Sequence, residues 1–384
     1  MMKKYIFFTN IPTPYRSSFY NELHNTNFNF EVYYQRKSEN DRNWIIDLGE
    51  LKHPFHIDHG LYLMIGRFHI HFNPRLIIKL LKDKEAEFII GLAWNDIDIL
   101  ILAFLSRIGL IKNKMHFWSE ANYLTIGSRN DNYFKNLLRK FVYKSSKGAQ
   151  LSSGEMVEIT FKKWGFNNLN YIPLPNTIEE ELFNVSKEEI DARKENILPI
   201  FLLPVRLNEK IKGIVNFFKS IGDDNIRKSI FQIAGDGPDK EIIQTFIYNN
   251  NLENHIKLLG HCNTVNMVSL YKKANVFVLP SFSDPSPLTI IEALKMELPL
   301  LISDKCGNHF EALIEEKNGY LFDPFEPQSI KNAFEKILSR TSAWNNMGKK
   351  SSRIYDEKFN RKLVITNFIN LLTAFSYHSN KINE

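Results

Sequence analysis

The chain has few of the features that mark secreted or membrane-spanning proteins. Its 384 residues include two cysteines, Cys262 and Cys306. They lie far apart and match no metal-ligand spacing, which favours free thiols in a reducing compartment and excludes a disulfide framework. The apolar run at the N-terminus stops after Phe8, so it is too short for a signal peptide.

Long hydrophobic runs are missing as well. The most apolar segment, residues 88–105, is interrupted by Asn95, Asp96 and Asp98. Because each aspartate would cost about 3 kcal/mol at the centre of a bilayer, we interpret the segment as a buried strand, a turn and a helix, and expect no membrane span. The net charge of +6 suits an anionic ligand but is too small to indicate nucleic acid, which we do not expect as a partner.

The chain does have enough apolar material for two cores. Apolar residues make up 43% of it, with 30 Phe and 15 Tyr. Its 384 residues are more than a domain with one compact core usually has. Short apolar segments alternate with longer amphipathic ones, which predicts βαβ units and parallel sheets. We predict an N-terminal domain over residues 1–180, a C-terminal domain over 181–360, and a helix over 361–384 that packs back on the first domain. The polar stretch 175–198 would be a linker region.

Predicted strands carry this organisation. In the first half they are Tyr5–Thr9, Phe30–Tyr34, Phe88–Leu92, Met115–Ser119, Ala149–Ser152 and Asn170–Ile172. In the second half they are Ile200–Pro204, Ile230–Ala234, Ile256–Leu259, Val276–Leu279, Pro299–Ser303 and Tyr320–Phe322. Since parallel sheets bind ligands at the carboxyl ends of their strands, a cleft between the two domains is the expected site.

A pair of cations follows the first strand of the second half. Arg206 and Lys212 lie on either side of a strand-to-helix turn, with Gly213 at the start of the next helix. Two cations beside helix N–H groups suit a diphosphate, which is held by charge, by forked hydrogen bonds and by the positive end of a helix. Two solvated charges on a loop are the alternative.

A glycine motif, G-D-G-P, follows the next strand. Gly235 and Gly237 permit a tight turn and a close approach of the backbone to a ligand. An ordinary turn between strand and helix is the alternative. The G-x-G-x-x-G fingerprint of nicotinamide and flavin sites is absent.

Two carboxylates mark the third motif. Asp284 lies in a loop rich in Ser and Pro, and Glu292 lies in the early turns of a helix that we expect to start near Pro287. Both would face the cleft, Glu292 suiting a ribose diol and Asp284 suiting sugar hydroxyls. The alternatives are a favourable helix-dipole charge for Glu292 and a loop-capping role for Asp284.

The order of these motifs carries a resemblance. R-L…K-G, then G-D-G-P, then P-S-x-x-[DE]-P…E-A…P-x-x-x-S-D…G-N…E…N-G resembles glycosyltransferase family 4, the retaining enzymes of the GT-B fold. The resemblance covers essentially the whole second domain. It implies an α/β fold with two Rossmann-like domains whose parallel sheets face a central cleft.

The resemblance implies roles for the charged residues. Arg206 and Lys212 would hold the diphosphate of a nucleotide-sugar donor, Glu292 its ribose, and Asp284 the transferred sugar. The sequence departs from the family in having Asp284 where glutamate is usual. It also has one residue more than usual before Lys212, which makes Lys210 an alternative phosphate ligand.

The resemblance implies backbone contacts as well. Amides near Leu288 and Thr289 would contact the phosphates, and Gly235 and Gly237 would belong to the donor site. The glycine often found after the loop acid is replaced here by Ser-Pro.

The N-terminal motif P-T-P-Y-R resembles the start of a branch of the same family. Arg16 would meet the donor phosphate or an anionic acceptor, and Tyr15 would line the cleft. A packing role for Tyr15 and a salt bridge for Arg16 are the alternatives.

Two further turns, W-N-D and W-S-E, close neighbouring strands of the first half. They place Trp94, Asn95, Trp118 and Glu120 at one sheet edge, facing the cleft. By the resemblance, Glu120 would approach the reacting sugar and steer the acceptor hydroxyl or accept its proton. The alternative is that these side chains only shape the cleft.

Two other patterns suggest partners. Asp96 and Asp98 form a D-x-D motif, but Asp96 is better explained as the N-cap of a helix starting near Ile99, and we expect neither a metal nor another cofactor. Residues 129–147 pair aromatic and basic side chains. This pattern fits either a helix on an anionic membrane or, slightly favoured, a domain helix with a buried apolar face.

These features lead to one functional hypothesis. The chain would transfer a sugar, with retention, from a nucleotide-diphosphate-sugar to a saccharide or lipid-linked acceptor in bacterial surface polysaccharide synthesis. Glu120, Asp284, Arg206 and Lys212 are the candidate catalytic residues. The expected location is the cytoplasm, or the cytoplasmic face of the inner membrane. A sugar-nucleotide epimerase of similar fold and a degenerate nucleotide-sugar-binding protein are the alternatives.

Overall fold

The chain folds into two domains, each built on a parallel β-sheet, as the alternation of apolar and amphipathic segments predicts. The computed structural model describes residues 3–39, 47–65, 68–125 and 132–381. Within these ranges, the strands of the first half are β1 (Tyr5–Thr9), β2 (Phe30–Tyr34), β3 (Phe55–Ile57), β4 (Leu61–Ile65), β5 (Phe68–Phe72), β6 (Glu87–Ile90), β7 (Met115–Ser119), β8 (Gln150–Ser152) and β9 (Tyr171–Pro173). The strands of the second half are β10 (Ile200–Pro204), β11 (Ile230–Ala234), β12 (Ile256–Gly260), β13 (Val276–Leu279), β14 (Leu300–Ser303) and β15 (Gly319–Phe322).

In each sheet the direction in which successive strands are added reverses beside the strand that comes first along the chain, β1 or β10. The first sheet runs β3-β2-β1-β6-β7-β8-β9 and the second runs β12-β11-β10-β13-β14-β15, with parallel pairing throughout. A switch point therefore lies between β1 and β6 in one domain and between β10 and β13 in the other. Crevices form at the carboxyl ends of strands at such points.

Helices cover the faces of both sheets. Those of the first half are α1 (Pro14–His24), α2 (Pro74–Lys82), α3 (Ile97–Arg107), α4 (Tyr133–Tyr143) and α5 (Glu155–Lys163). Those that follow are α6 (Lys187–Ala192), α7 (Glu209–Lys212), α8 (Ile214–Ile221), α9 (Asp223–Ile226), α10 (Lys240–Asn249), α11 (Thr264–Lys273), α12 (Leu288–Lys295), α13 (His309–Ala312), α14 (Pro327–Ser339), α15 (Trp344–Lys358) and α16 (Arg361–Lys381). Three short 3-10 helices accompany them at Leu48–Glu50, Arg193–Glu195 and Thr341–Ala343.

Local chemistry sets several of the helix starts. Asp96 caps α3, since its carboxylate accepts a hydrogen bond from the Asp98 N–H at 2.9 Å. The N-cap interpretation of Asp96 is thus confirmed, with the helix beginning two residues earlier than expected. Ser186 and Glu189 form a capping box that starts α6 inside the stretch predicted as a linker.

The last helix packs on the first sheet. Phe368 of α16 lies against the rings of Phe7, Phe19 and Phe28. The second domain has its own core, built from β10–β15 and their helices. Both cysteines are free thiols, as expected. In the described part of the chain, no helix is long and apolar enough to span a bilayer.

Three strands of the first half were not predicted. β3 is a half-buried edge strand of three residues, and β4 and β5 form an antiparallel hairpin in which His71 lies opposite Tyr62 and His69 opposite Met64. β3 has only three residues and β5 alternates histidine with apolar residues, so neither contains the apolar run that identifies buried strands. β4 does contain one, but Leu61 and Leu63 are exposed and the strand lies outside the main sheet.

Candidate active site

A cavity of about 720 Å³ opens between the two domains at the carboxyl ends of their strands. The loops after β1, β6 and β7 line one side, and the loops after β10 and β13 line the other. The first domain contributes, among others, Tyr15, Arg16, Trp94, Trp118 and Glu120, and the second contributes Ile211, Lys212, Ser283, Asp284 and Pro285. Both switch points therefore face one space.

A buried guanidinium organises the first-domain side. Arg16, 9% exposed, lies with its guanidinium carbon 3.6 Å from the ring centroid of Trp118. Its Nη2 donates to Glu120 Oε1 at 2.9 Å, and its Nε donates to the Tyr15 hydroxyl at 3.4 Å. Its buried Nη1 has no hydrogen-bond partner. The salt bridge weighed for Arg16 is therefore present, and the two N–H groups of Nη1 have no partner.

Glu120 also takes part in a bridge between the domains. Asn176 Nδ2 donates to Glu120 Oε1 at 3.0 Å and to Ser286 Oγ of the second domain at 3.2 Å. Asn122 donates to the Asp284 carbonyl at 3.4 Å. The sequence interpretation missed both asparagines. Asn176 lies three residues after β9, so its place beyond a strand's carboxyl end was the available signal.

The cation and the acid of the second domain contact each other directly. Lys212, the last residue of α7, forms an ion pair with Asp284, and both are largely buried. Gly213 follows in the left-handed region at φ 60°, and a Cβ there would lie 2.8 Å from the Phe282 ring. Lys212, rather than the exposed Lys210, faces the cavity. An ammonium has three N–H donors, so two remain for phosphate oxygens.

Arg206 lies at the carboxyl end of β10, outside the cavity lining. It is exposed and makes no ion pair with any described residue. At the start of α12, Leu288 and Thr289 present amides without intrahelical partners, because the first turn of a helix leaves its N–H groups free. The cap residue, Pro287, supplies no side-chain hydrogen bond. These groups are available to an anion.

Glu292 lies behind the cavity lining on α12. Tyr271 donates its hydroxyl hydrogen to Glu292 Oε2 at 2.8 Å. Burial raises the pKa of Glu292 to about 7, although the Tyr271 hydrogen bond opposes the shift.

The two glycines of the G-D-G-P turn have a structural reason of their own. A Cβ on Gly235 would lie 1.9 Å from the Val205 carbonyl oxygen, and one on Gly237 would lie 2.4 Å from that of Leu207. The close approach that these glycines permit is to the neighbouring loop of the chain itself. This agrees with the alternative of an ordinary strand-to-helix turn.

The D-x-D motif is engaged within the first domain. Gln35 Nε2 donates to both oxygens of Asp96 at 3.2 Å and to Asp98 Oδ2 at 2.8 Å. In the described part of the chain, no group of three or more His, Cys, Asp or Glu side chains is arranged to hold a metal ion. Trp94 lines the main cavity, whereas Asn95 lines a smaller one beside it.

Helix α4 agrees only in part with the favoured interpretation of residues 129–147, of which 129–131 lie outside the described residues. Tyr133 and Phe134 are 77% and 73% exposed, and Leu137 and Leu138 are also exposed. The buried basic residue is Arg139, whose guanidinium lies 4.0 Å from the ring centroid of Trp164. The last turn of the helix buries Val142 and Tyr143 in the first-domain core, whereas its first two turns show apolar side chains to solvent.

A further contact joins the domains on one side of the cleft. Glu311 of α13 accepts a hydrogen bond from the Glu155 N–H, the first amide of α5, at 2.5 Å. The N-cap residue of α5 is Gly154, and a Cβ there would lie 2.8 Å from the Glu311 carboxylate. The carboxylate of one domain thus caps a helix of the other.

Comparison with known sequences finds a family match for the second domain. Residues 186–353 match a family model described as glycosyl transferases group 1. The alpha-monoglucosyldiacylglycerol synthase of Acholeplasma laidlawii is 28% identical over 145 residues, covering 36% of this chain and 35% of that protein. A UDP-Gal:alpha-D-GlcNAc-diphosphoundecaprenol alpha-1,3-galactosyltransferase of Escherichia coli is 30% identical over 195 residues, covering 47% and 48%. The chain thus matches about a third to a half of the length of these relatives.

Comparison with solved structures extends to the whole chain. Anabaena HepE in complex with UDP superposes with a TM-score of 0.75 at 13% identity, covering 97% of this chain and all of that one. Sucrose-phosphate synthase from Thermosynechococcus elongatus gives 0.73 at 16% identity, with both chains fully covered. The chain has the predicted GT-B fold, and its second domain matches the glycosyl transferases group 1.

Proposed function

We propose that the protein is a retaining glycosyltransferase that uses a nucleotide-diphosphate-sugar. The observation that carries the proposal is the cleft in which Lys212 and Asp284 of one domain face Arg16 and Glu120 of the other. The group 1 match over residues 186–353 supports it. A likeness in fold to a UDP complex agrees with a nucleotide donor.

The donor is assigned to the second domain. Arg206 and Lys212 neutralise the charge that develops on the leaving diphosphate, with the amides of Leu288 and Thr289 supplying further hydrogen bonds. Glu292 holds the ribose. No metal ion is part of this scheme, because Arg206, Lys212 and the first amides of α12 are the groups assigned to the phosphates.

The reaction itself is a single substitution at the anomeric carbon. The bond from that carbon to the diphosphate oxygen breaks as the acceptor oxygen forms its bond on the same face. The acceptor proton passes to the departing phosphate oxygen. Glu120, held by Arg16 and Asn176, orients the acceptor hydroxyl, and Asp284 orients the transferred sugar.

We place the acceptor at an anionic membrane face in the cytoplasm, within surface polysaccharide synthesis. The exposed apolar residues of α4 support a peripheral contact, and the adjacent helix α3 adds the exposed Phe104. The E. coli relative is named for an acceptor carried on diphosphoundecaprenol. Apolar side chains beside basic residues are typical of interfacial helices.

Acceptor-dependent release of nucleotide tests the proposal. The protein is incubated with UDP, GDP, ADP and dTDP sugars, with and without short-chain polyprenyl-diphosphate saccharides, and the nucleoside diphosphate is measured. We expect release with one donor that requires an acceptor. An isomerised donor without any acceptor would instead identify an epimerase, and nucleotide binding without turnover across the panel would identify a binding protein.

A further inference from the structure

A second, smaller cavity opens off the first-domain side of the cleft. Its volume is about 240 Å³, and it shares Asn10 and the turn after β6, residues 91–93, with the main cavity. The rest of its lining is polar and consists of Gln35, Glu39, His69, His71, Asn95 and Asp96. We call this space the side chamber. None of the donor assignments uses it.

The side chamber is assembled from four separate elements. Asn10 follows β1, Gln35 follows β2, His71 lies on β5, and Asp96 follows β6. Glu39 Oε1 lies 3.2 Å from His71 Nε2 and accepts a hydrogen bond from Asn10 Nδ2 at 3.3 Å. The polar wall is thus held in place by its own hydrogen bonds and is pre-organised for a ligand.

One buried atom in this wall has no partner. Gln35 is 1% exposed, and its Nε2 is fully used by Asp96 and Asp98. That arrangement fixes the orientation of the amide, and its Oε1 is left without a donor. A buried acceptor without a hydrogen bond costs about 1–3 kcal/mol, so the site is completed by a ligand or water that brings an O–H or N–H group.

The other polar groups of the wall also favour a ligand that donates hydrogen bonds. Glu39 and Asp96 add carboxylate oxygens, which accept hydrogen bonds, and the amide of Asn95 adds both a donor and an acceptor. Burial, together with the charge of Asp98, raises the pKa of Asp96 to about 6, and a second anion beside it would be unfavourable for the same reasons. A ligand with several hydroxyl groups satisfies such a wall, whereas a ligand carboxylate or phosphate brings acceptors and a like charge to it.

We propose that the side chamber holds the acceptor's sugar ring and selects an uncharged one. The inference rests on the proposed function and adds the class of acceptor to it. The volume lies below the range of pockets for drug-sized ligands, about 300–1,000 Å³, and suits a single ring. Asn10 and residues 91–93 connect this ring to the reaction cleft, where Glu120 lies.

Saturation-transfer NMR with simple glycosides tests the assignment without requiring turnover. The probes are the methyl glycosides of glucose, galactose, N-acetylglucosamine and glucuronic acid, each added with saturating UDP. We expect at least one neutral glycoside to bind, and methyl glucuronide to bind about tenfold more weakly or not at all. A tenfold difference corresponds to about 1.4 kcal/mol.

A chamber-filling variant localises the signal. Asn95 is exposed and no described residue accepts or donates a hydrogen bond to its side chain, so Asn95→Trp fills the space without removing a contact. It should abolish glycoside binding while leaving the UDP-induced rise in melting temperature unchanged. Asn367→Trp, on an exposed position of α16, is the matched control and should keep both.

The outcomes separate the two proposals. Binding of methyl glucuronide within twofold of the best neutral glycoside, unchanged glycoside binding in Asn95→Trp, or no binding of any neutral glycoside would overturn the side-chamber assignment. Failure of the wild-type chain to respond to any nucleotide would instead count against the proposed function, whatever the glycosides do.

Discussion

The two domains contain the same kind of parallel sheet, but the residues that line their two sides of the cleft are arranged differently along the chain. The second domain offers two short motifs, the turn from Arg206 to Lys212 and the loop from Asp284 into α12, which meet in the ion pair of Lys212 with Asp284. The first domain offers pairs brought together over long distances, such as Arg16 with Glu120, 104 residues apart.

Away from the Lys212–Asp284 ion pair, the most deeply buried charges of the two domains also differ in their partners. In the first domain, ionisable side chains are buried against each other, as in Glu87 with His116 and Glu39 with His71. In the second domain, the buried Arg193 donates to four backbone carbonyls, among them those of Tyr271 and Met296. A diphosphate is recognised by charge and backbone amides, which short motifs supply. A sugar acceptor is recognised by side chains, which any element can supply.

The largest expected effect is on the donor side. Arg206→Ala should lower kcat/KM by about 10²–10³-fold, as removal of one charge-stabilising donor typically does. Because Arg206 is exposed and makes no described ion pair, the melting temperature should not change. Arg353→Ala, also at an exposed position, is the control. Normal turnover in Arg206→Ala would remove the diphosphate assignment, and with it the contrast between the domains.

Acid stability should distinguish the first domain. Burial alone would raise the pKa of Glu87, but the hydrogen bonds from His116 and Ser376 and nearby positive charge hold it at about 2. A depressed folded-state pKa contributes stability above the unfolded value, near 4.5, and this contribution is lost as pH falls from about 4.5 to about 2. At neutral pH it amounts to roughly 3 kcal/mol.

Urea unfolding at a series of pH values checks this. Tryptophan fluorescence reports mainly the first domain, where Trp94, Trp118 and Trp164 lie. Glu87→Gln should lower the free energy of unfolding at pH 7 and match the wild type near pH 2. The exposed Glu85→Gln should follow the wild type throughout. A Glu87→Gln difference that is constant with pH would contradict the ion-pair explanation.

A smaller effect is expected where the domains meet. Glu311→Ala removes the carboxylate that caps α5 from the other domain. Hydrogen bonds to charged groups contribute about 1.5–3 kcal/mol, so domain separation should become easier and donor KM should rise about tenfold. Small-angle scattering should show a larger radius of gyration without UDP. The exposed Glu357→Ala should keep the wild-type radius, and an unchanged radius in Glu311→Ala would show that the cap does not hold the cleft closed.

The smallest effect on stability is expected on the surface of the first domain. Phe134→Ser and Leu137→Ser remove exposed apolar side chains of α4, and surface substitutions usually change stability by within 0.5 kcal/mol. Sedimentation with anionic phosphatidylglycerol vesicles should nevertheless fall severalfold. Ile242→Ser, exposed on α10 of the second domain, should leave vesicle binding unchanged. Equal losses in both domains would mean that neither surface is specific.

Much of the fold could be predicted because its signals are local. The strands Tyr5–Thr9, Phe30–Tyr34, Ile200–Pro204 and Ile230–Ala234 were predicted with the observed bounds, since a buried parallel strand is a short apolar run between turns. The hairpin of β4 and β5 was missed, because β5 alternates histidine with apolar residues and the apolar run of β4 is exposed instead of buried. The partial burial of α4 was misjudged for a related reason: an apolar stripe does not tell whether the core or the solvent will face it.

The candidate site also has a part that the sequence predicts and a part that only the tertiary structure shows. The motifs by themselves determined the GT-B architecture and the positions of Arg206, Lys212, Asp284 and Glu292 along the chain, because spacing within one strand-turn-helix unit is written in consecutive residues. The tertiary structure alone decided that Lys212 pairs with Asp284 and that Asn176 links Glu120 to the second domain. It also decided that Gln35, Glu39 and His71 share one chamber. Such contacts depend on how two sheets and a hairpin pack against each other, and the spacing of residues along the chain does not predict that packing.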